Sequence, residues 1–300
     1  MTARVLIGLS ILAVLWGSAF PVIKIGLEGF SPPHLTLARH LVASACFVPF
    51  LLLTGRRIWP ERRDLGYFLL LGVCGITIYH LGLNYGEQRV SAGATSLIIA
   101  TAPALTAIVA FFLIDERLPK LGWAGIGTSF VGVLLIVWGD SRGIRFDPFA
   151  LLILLSAVST AFYFTLQKRM FSRYKAVEVT AFATWAGTLP MLLFLPGFPS
   201  ALAEVAAPPL LATIYIGVFP SAVAYTLFSY ALSQAPVTLV TAYLYTVPIF
   251  SLLLSWLLLG EVPSLLTVFG GAVAIVGIVM VNRAKRAQQR LPRQVAGARS

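Results

Sequence analysis

Long apolar runs separated by short polar loops set the pattern of the whole chain. A helix needs roughly 20 apolar residues to cross the hydrocarbon core. On that measure ten spans are predicted, over 5–27, 34–54, 65–85, 92–114, 120–138, 148–167, 177–196, 209–233, 237–259 and 264–281. Two of these runs echo each other. Residues 92–116 carry Thr101 and Pro103 halfway along and stop at Glu116; residues 237–261 carry Thr246 and Pro248 and stop at Glu261. Sliding the chain by 145 positions lays 71–136 on 216–281 without a gap, matching Gly72 with Gly217, Tyr85 with Tyr230, Gly125 with Gly270 and Gly132 with Gly277. One structural unit is used twice. A proline inside a span removes a backbone hydrogen bond and breaks or bends the helix, and in lipid the freed carbonyl needs a partner. Matched breaks at mid-membrane positions of two halves point to a transporter's binding site.

Loop charge sets the orientation. With the amino terminus in the cytoplasm, the inner segments collect Arg4, Arg56, Arg57, Arg62, Arg63, Arg117, Lys120, Lys168, Arg169, Arg173, Lys175 and the basic tail; the outer ones hold Arg89, Arg142 and Arg145. Such a bias predicts both termini inside. Five spans per half is an odd number, so the second half enters the membrane from the opposite side. The expected fold is an all-α integral membrane protein of ten transmembrane helices in two inverted five-helix repeats, 1–139 and 147–282, followed by a basic cytoplasmic tail, 283–300, that is unordered or loosely held on anionic lipid. Arg4 before an apolar run also fits a signal peptide. Pro21, Lys24 and the Trp16-Gly-Ser-Ala-Phe20 element, with its looser counterpart Val158-Ser-Thr-Ala-Phe162, favour a mature helix.

Composition narrows the function classes. The chain is 58% hydrophobic and 11% charged, too few charges to cover a soluble globule. The formal charge of +11 lies in short loops and the tail without aromatic-basic motifs, so no nucleic-acid partner is expected. Cys46 and Cys74 lie inside predicted helices and give neither a disulfide framework nor metal spacing. Every acidic residue falls in a loop or near a span end, which weakens sodium coordination and carboxylate proton relays. No paired aspartates, no His-Glu-x-x-His and no acid to orient His80 are present. No catalytic residue, metal or cofactor is expected.

The predicted interior is aromatic and weakly polar. Tyr79, His80, Leu83 and Asn84 share one helix face by three-and-four spacing, and their counterparts are Ala224, Tyr225, Phe228 and Ser229. Thr241, Tyr243 and Tyr245 precede Pro248; Phe162, Tyr163 and Gln167 lie in the sixth span; Trp16 and Ser18 lie in the first. Together with Thr101 and Pro103 these are the candidate substrate-binding residues. Each aromatic also suits plain core packing, and His80, a group able to hydrogen-bond cargo or carry a proton, equally suits a bond to a neighbouring carbonyl. Lys24 and Arg39 are placed near outer span ends, where both snorkel to headgroups and Glu28 is near enough to pair with one of them. Glu116 and Glu261 sit where a carboxylate helps satisfy exposed amides. The glycine-studded fifth and tenth spans are assigned to scaffolding or a dimer contact.

Trp16-Gly-Ser-x-Phe followed by Lys24, a Ser-Pro-Pro loop leading to Arg39, and two proline-centred helices each ending in Glu resemble the EamA branch of the drug/metabolite transporter superfamily. The similarity covers nearly the whole chain, although Val158-Ser-Thr departs from the Trp-Gly-Ser element in the second half. The resemblance implies a secondary transporter in a bacterial inner membrane, exporting amino acids or similar small metabolites through a central cavity lined by both halves. Within the family the chain is similar to the YddG-type exporters of aromatic amino acids, which Tyr79-His80 and the tyrosines of the ninth span suit. The partners implied are the solute and the lipid bilayer, with the chain a monomer or a homodimer. Rival readings are a passive channel or facilitator, an exporter of another metabolite or drug, and a structural membrane subunit.

Overall fold

The computed structural model describes residues 2–114, 119–140, 147–235 and 237–297, and these are helical with no strand among them. Helices α1 (Ala3–Leu27) and α2 (Pro32–Leu53) form the first hairpin, Pro32 and Pro33 opening α2 where missing N–H groups cost nothing. A third long stretch begins with a 3₁₀ turn, Arg62–Asp64, and continues through α3 (Leu65–Gly72), a π-helical segment (Val73–Ile78) and α4 (Tyr79–Glu87). Next come α5 (Ala92–Ile99), α6 (Ala102–Ile114), α7 (Lys120–Asp140) and α8 (Phe149–Gln167). The remainder comprises α9 (Ala176–Met191), α10 (Phe198–Glu204), α11 (Ala207–Ile216), a second π-helical segment (Gly217–Ala224), α12 (Tyr225–Gln234), α13 (Val237–Ala242), a 3₁₀ turn (Tyr243–Thr246), α14 (Val247–Leu259) and α15 (Leu265–Gly297). Among the described residues, seven helical stretches are long and apolar enough to cross a membrane, and shorter apolar helices lie over Lys120–Ile136, Tyr243–Leu259 and Leu265–Val281.

The outer surface is the reverse of a soluble protein's. Leu53, Leu193 and Leu265 are 87%, 80% and 90% exposed, a surface that water would not tolerate but lipid does. The interior gathers the small and polar residues that let helices approach. Gly72 of α3 and Gly187 of α9 pack backbone to backbone: a Cβ on Gly72 would sit 2.2 Å from Gly187 N. Helices α7 and α15 lie equally close, a Cβ on Gly125 falling 2.5 Å from Gly277 O, and Ser129 Oγ donates to Ala274 O at 3.2 Å. The glycine-rich pair therefore packs against itself inside one chain.

The chain breaks where the prolines announced it. α5 gives way to α6 at Ala100–Thr101, two residues before Pro103, and the 3₁₀ turn Tyr243–Thr246 interrupts the helix before Pro248. The π-helical segments were not foreseen. The second contains Pro220, which has no N–H to close an α-helical ring. The tail also differs from expectation: α15 runs on to Gly297, so the backbone after Val281 is helical rather than unordered. Glu116, offered above as an amide partner, lies outside the described residues.

Two polar clamps join distant parts of the chain. At one end Lys24 Nζ pairs with Glu261 Oε1 at 3.3 Å, and Glu261 Oε2 accepts from Ala92 N at 3.0 Å, at the start of α5. This corrects the pairing of Lys24 with Glu28 and bears out the amide role of Glu261. At the other end of α2, Arg173 donates to Asp64 and to Glu61, the latter at 2.9 Å, while Arg57 and Arg63 also hold Glu61, at 3.1 and 2.9 Å. The hydrogen bond from Arg57, with the Arg63 and Arg173 charges, holds the Glu61 carboxyl below its ordinary range.

Candidate substrate cavity

Both π-helical segments are tied by side chains from the far part of the chain. Trp16 Nε1 donates to Pro220 O at 3.1 Å, and Ser159 Oγ donates to Cys74 O at 2.7 Å. A π turn shifts the backbone register by one residue and leaves carbonyls without their helical partner, so these bonds complete the backbone accounting. Thr77 Oγ1 adds a bond to Gly187 O at 2.8 Å.

Between the two segments lies a cavity of about 50 Å³. Trp16 and Phe20 of α1, Arg39 of α2, Tyr79, His80 and Leu83 of α4, Thr160 and Phe164 of α8, and Tyr225 of α12 form its walls. The two helix breaks add to its lining, Ala100 and Ala102 from one and Leu244 and Val247 from the other. A single water needs about 10–15 Å³ on this measure, so the space is that of a few waters.

Aromatic packing fixes the walls. Trp16 meets Tyr225 edge-on with centroids 5.2 Å apart, and Phe164 lies 4.5 Å from Phe228. His80 Nδ1 lies 3.0 Å from Ile76 O, in the first π-helical segment, and His40 Nδ1 lies 2.8 Å from Thr36 O. A carbonyl only accepts, so Nδ1 carries a proton in both rings. The ring centroids are 4.4 Å apart.

Of the candidate residues, the structure brings Trp16, Tyr79, His80, Leu83 and Tyr225 together on the cavity wall. The others stand behind it or elsewhere. Tyr163 is buried beside Tyr225, and Phe228 backs Trp16. Asn84 Nδ2 donates to Thr36 Oγ1 at 2.8 Å. Gln167 Oε1 accepts from Ser229 Oγ at 3.1 Å, and Ser18 Oγ meets Tyr215 Oη at 2.8 Å. Thr101 Oγ1 bonds back to Ile98 O at 2.7 Å. Phe162 packs against the cluster around Ala157 and Ala161, and Tyr245 against Ala104, Ala107 and Ile126. Tyr243 is half-buried against the main core, while Pro103 and Pro248 are buried behind the lining. The prolines thus create the breaks without facing the hollow.

Arg39 overturns its sequence reading. It does not snorkel: it is 2% exposed, lines the cavity, and its Nε and Nη2 donate to Ser221 Oγ at 3.1 and 3.0 Å. The missed signal was depth. Arg39 stands seven residues into a helix that Pro32 opens, about 10 Å along the axis, too deep for an easy reach to headgroups. Glu87 keeps to a span end, as expected of the carboxylates, but its surroundings were not foreseen. It is 1% exposed, and neither of its oxygens meets a protein donor.

The EamA-like transporter family matches residues 4–138 and again residues 148–283. An uncharacterized transporter, YdfC, of Bacillus subtilis is 37% identical over 277 residues, covering 92% of this chain and 90% of the relative. A probable terminal-alkyne amino-acid exporter of Streptantibioticus cattleyicolor is 35% identical over 270 residues, 90% of each chain. The uncharacterized inner membrane transporter YedA of Escherichia coli K12 is 29% identical and covers 91% of this chain and 89% of its own. A solved crystal structure 19% identical in sequence superimposes with a TM-score of 0.67 over 95% of this chain and 98% of its own, a likeness of fold.

Proposed function

Since the chain belongs to the EamA-like transporter family, we propose that it is a secondary carrier of the bacterial inner membrane. It exports small metabolites, amino acids with neutral or aromatic side chains foremost, by alternating access through the cavity described above. In this reading ten helices cross the membrane as two inverted repeats, 1–139 and 147–282, with both termini cytoplasmic. The separate family matches to the two halves support the repeat, the loop charges support the orientation, and the amino-acid exporter among the relatives supports the cargo class.

The observation that carries the reading is the cavity itself, a small hollow at the meeting of two π-helical segments and two helix breaks, walled by Trp16, Tyr79, His80 and Tyr225. Unwound backbone at membrane depth is tolerated where it faces protein or a cavity. A hollow of about 50 Å³ lined by residues of both halves suits the binding site of a carrier. The lining carries Trp, Tyr and Phe faces for stacking and a histidine for hydrogen bonding.

Purified protein in liposomes loaded with unlabelled phenylalanine should take up labelled phenylalanine by counterflow. The rate should saturate, and Tyr79→Ala and His80→Ala should lower it while leaving the folded protein yield unchanged. Flux that never saturates and shows no counterflow would assign the chain to the passive facilitators. Normal rates in both variants would take those residues out of the site.

A further inference from the structure

The interior gives the Arg39 guanidinium very little. The group carries five N–H donors in a rigid fork, yet two of its nitrogens share one neutral acceptor, Ser221 Oγ, and Nη1 meets no protein acceptor. Among the described residues, the ion pairs engage Lys24, Arg57, Arg63 and Arg173 but not Arg39. Glu87 acts on Arg39 electrostatically, but it lies outside the cavity lining and forms no ion pair with it. Burying a cation without a bonded anion is strongly unfavourable unless something compensates it. Here the cation faces the one space in the molecule already assigned to a solute.

The geometry points to Arg39 as the anchor for a carboxylate on the transported solute, with the solute's apolar body against Trp16, Phe164 and Tyr225. This inference rests on the carrier reading and adds to it a requirement for an anionic group. A carboxylate accepts from two guanidinium nitrogens at once, and the fork of Nη1 with the second N–H of Nη2 is left over by Ser221. Ser221 belongs to the π-helical segment Gly217–Ala224 and Arg39 to α2. A solute held on Arg39 therefore sits beside the tie between these two elements, with Ser221 orienting the guanidinium from its other edge.

The test uses full-length protein in detergent and three pairs of probes matched in shape: phenylalanine and phenylalaninamide, leucine and leucinamide, hydrocinnamate and its amide. Affinity is read from ligand-induced shifts of thermal unfolding. Wild type should prefer each acid over its amide by about tenfold or more, the scale of a charge-assisted hydrogen bond. Arg39→Gln should abolish the preference, and Ser221→Ala, which frees two donors, should keep or raise it. A purely structural cross-link would make those two variants equivalent, which would overturn the inference. So would equal binding of acids and amides by wild type, or no binding of any acid. If Arg39→Gln does not fold, Arg39→Lys must retain a weakened acid preference; an unchanged one would equally overturn the inference. Acid-selective binding without counterflow sinks the carrier reading and leaves the anion site standing; counterflow with no acid preference does the reverse.

Discussion

In residues 4–138 the π-helical segment Val73–Ile78 leads straight into Tyr79 and His80; in residues 148–283 the segment Gly217–Ala224 leads into Tyr225. The backbone devices match, and so do the ties that hold them, each reaching across from the opposite half: Ser159 to Cys74 O, Trp16 to Pro220 O. Behind the cavity the resemblance continues, with Asn84 bonded to Thr36 in one half and Ser229 bonded to Thr180 in the other. The chemistry does not match. The first half surrounds its pair with His40, Arg39 and Glu87; the second uses hydroxyls and Gln167. Matching backbone devices from both halves border the hollow, and among its lining residues the charge comes from Arg39 of the first half.

The sharpest way to break this comparison is at the backbone contacts. Gly72→Ala should destabilise by about 3 kcal/mol, the upper range for overpacking, because its Cβ would strike Gly187 N, an atom with no rotamer to give. Gly217→Ala brings its Cβ within 2.7 Å of Val42 Cβ and 2.8 Å of the Arg39 carbonyl oxygen, less close than at Gly72, and should cost about 2 kcal/mol. Thermal unfolding in detergent measures both, and equal tolerance would show that the two sites are not packed as described.

A smaller effect separates the polar ties. Ser229→Ala also leaves the buried Gln167 Oε1 without its donor and should cost about 2 kcal/mol, against about 1 kcal/mol for Asn84→Ala, whose partner Thr36 still donates to Pro32 O. The cross-half ties should be equal: Trp16→Phe and Ser159→Ala should each cost about 1 kcal/mol, with Trp16→Phe also slowing counterflow because Trp16 lines the cavity.

The smallest effect lies at the Glu61 clamp, where Arg173 of the second half meets the first. The Arg57 hydrogen bond, then the Arg63 and Arg173 charges, keep this carboxyl below its ordinary value. Its stabilising share is therefore complete at neutral pH and is lost as pH falls through the folded-state value. The difference in unfolding temperature between wild type and Glu61→Gln should be slight at pH 7 and vanish once the pH falls below the lowered folded-state value. A difference that grows in acid would contradict the direction.

Helix positions were legible because a membrane helix announces itself by length, and the Pro103 and Pro248 breaks because proline removes a donor. The π-helical segments left almost no mark: a one-residue register shift needs no special composition, and Pro220 alone hinted at the second. Tyr79, His80 and Leu83 emerged together because three-and-four spacing puts them on one face. Tyr163, Phe228 and Tyr245 were named for their type, and only the packing shows that they back the wall instead of forming it. Arg39 was misread because a charge in an apolar run suggested the nearer headgroup, while its partner Ser221 lies 182 residues away. Glu87 at the end of α4 was equally open to misreading, since position along a helix gives depth and says nothing of what covers it.

The central claim, two halves facing opposite ways around one hollow, is tested most directly by sidedness. Thr54, after α2, and Ser200, in α10, are exposed on the loops that close the corresponding hairpins of the two halves. In a background with Cys46 and Cys74 replaced by alanine, single cysteines at these positions are probed with an impermeant maleimide in spheroplasts and in inverted vesicles. The account predicts that Thr54→Cys reacts only in inverted vesicles and Ser200→Cys only in spheroplasts. Labelling of both from the same side would contradict it.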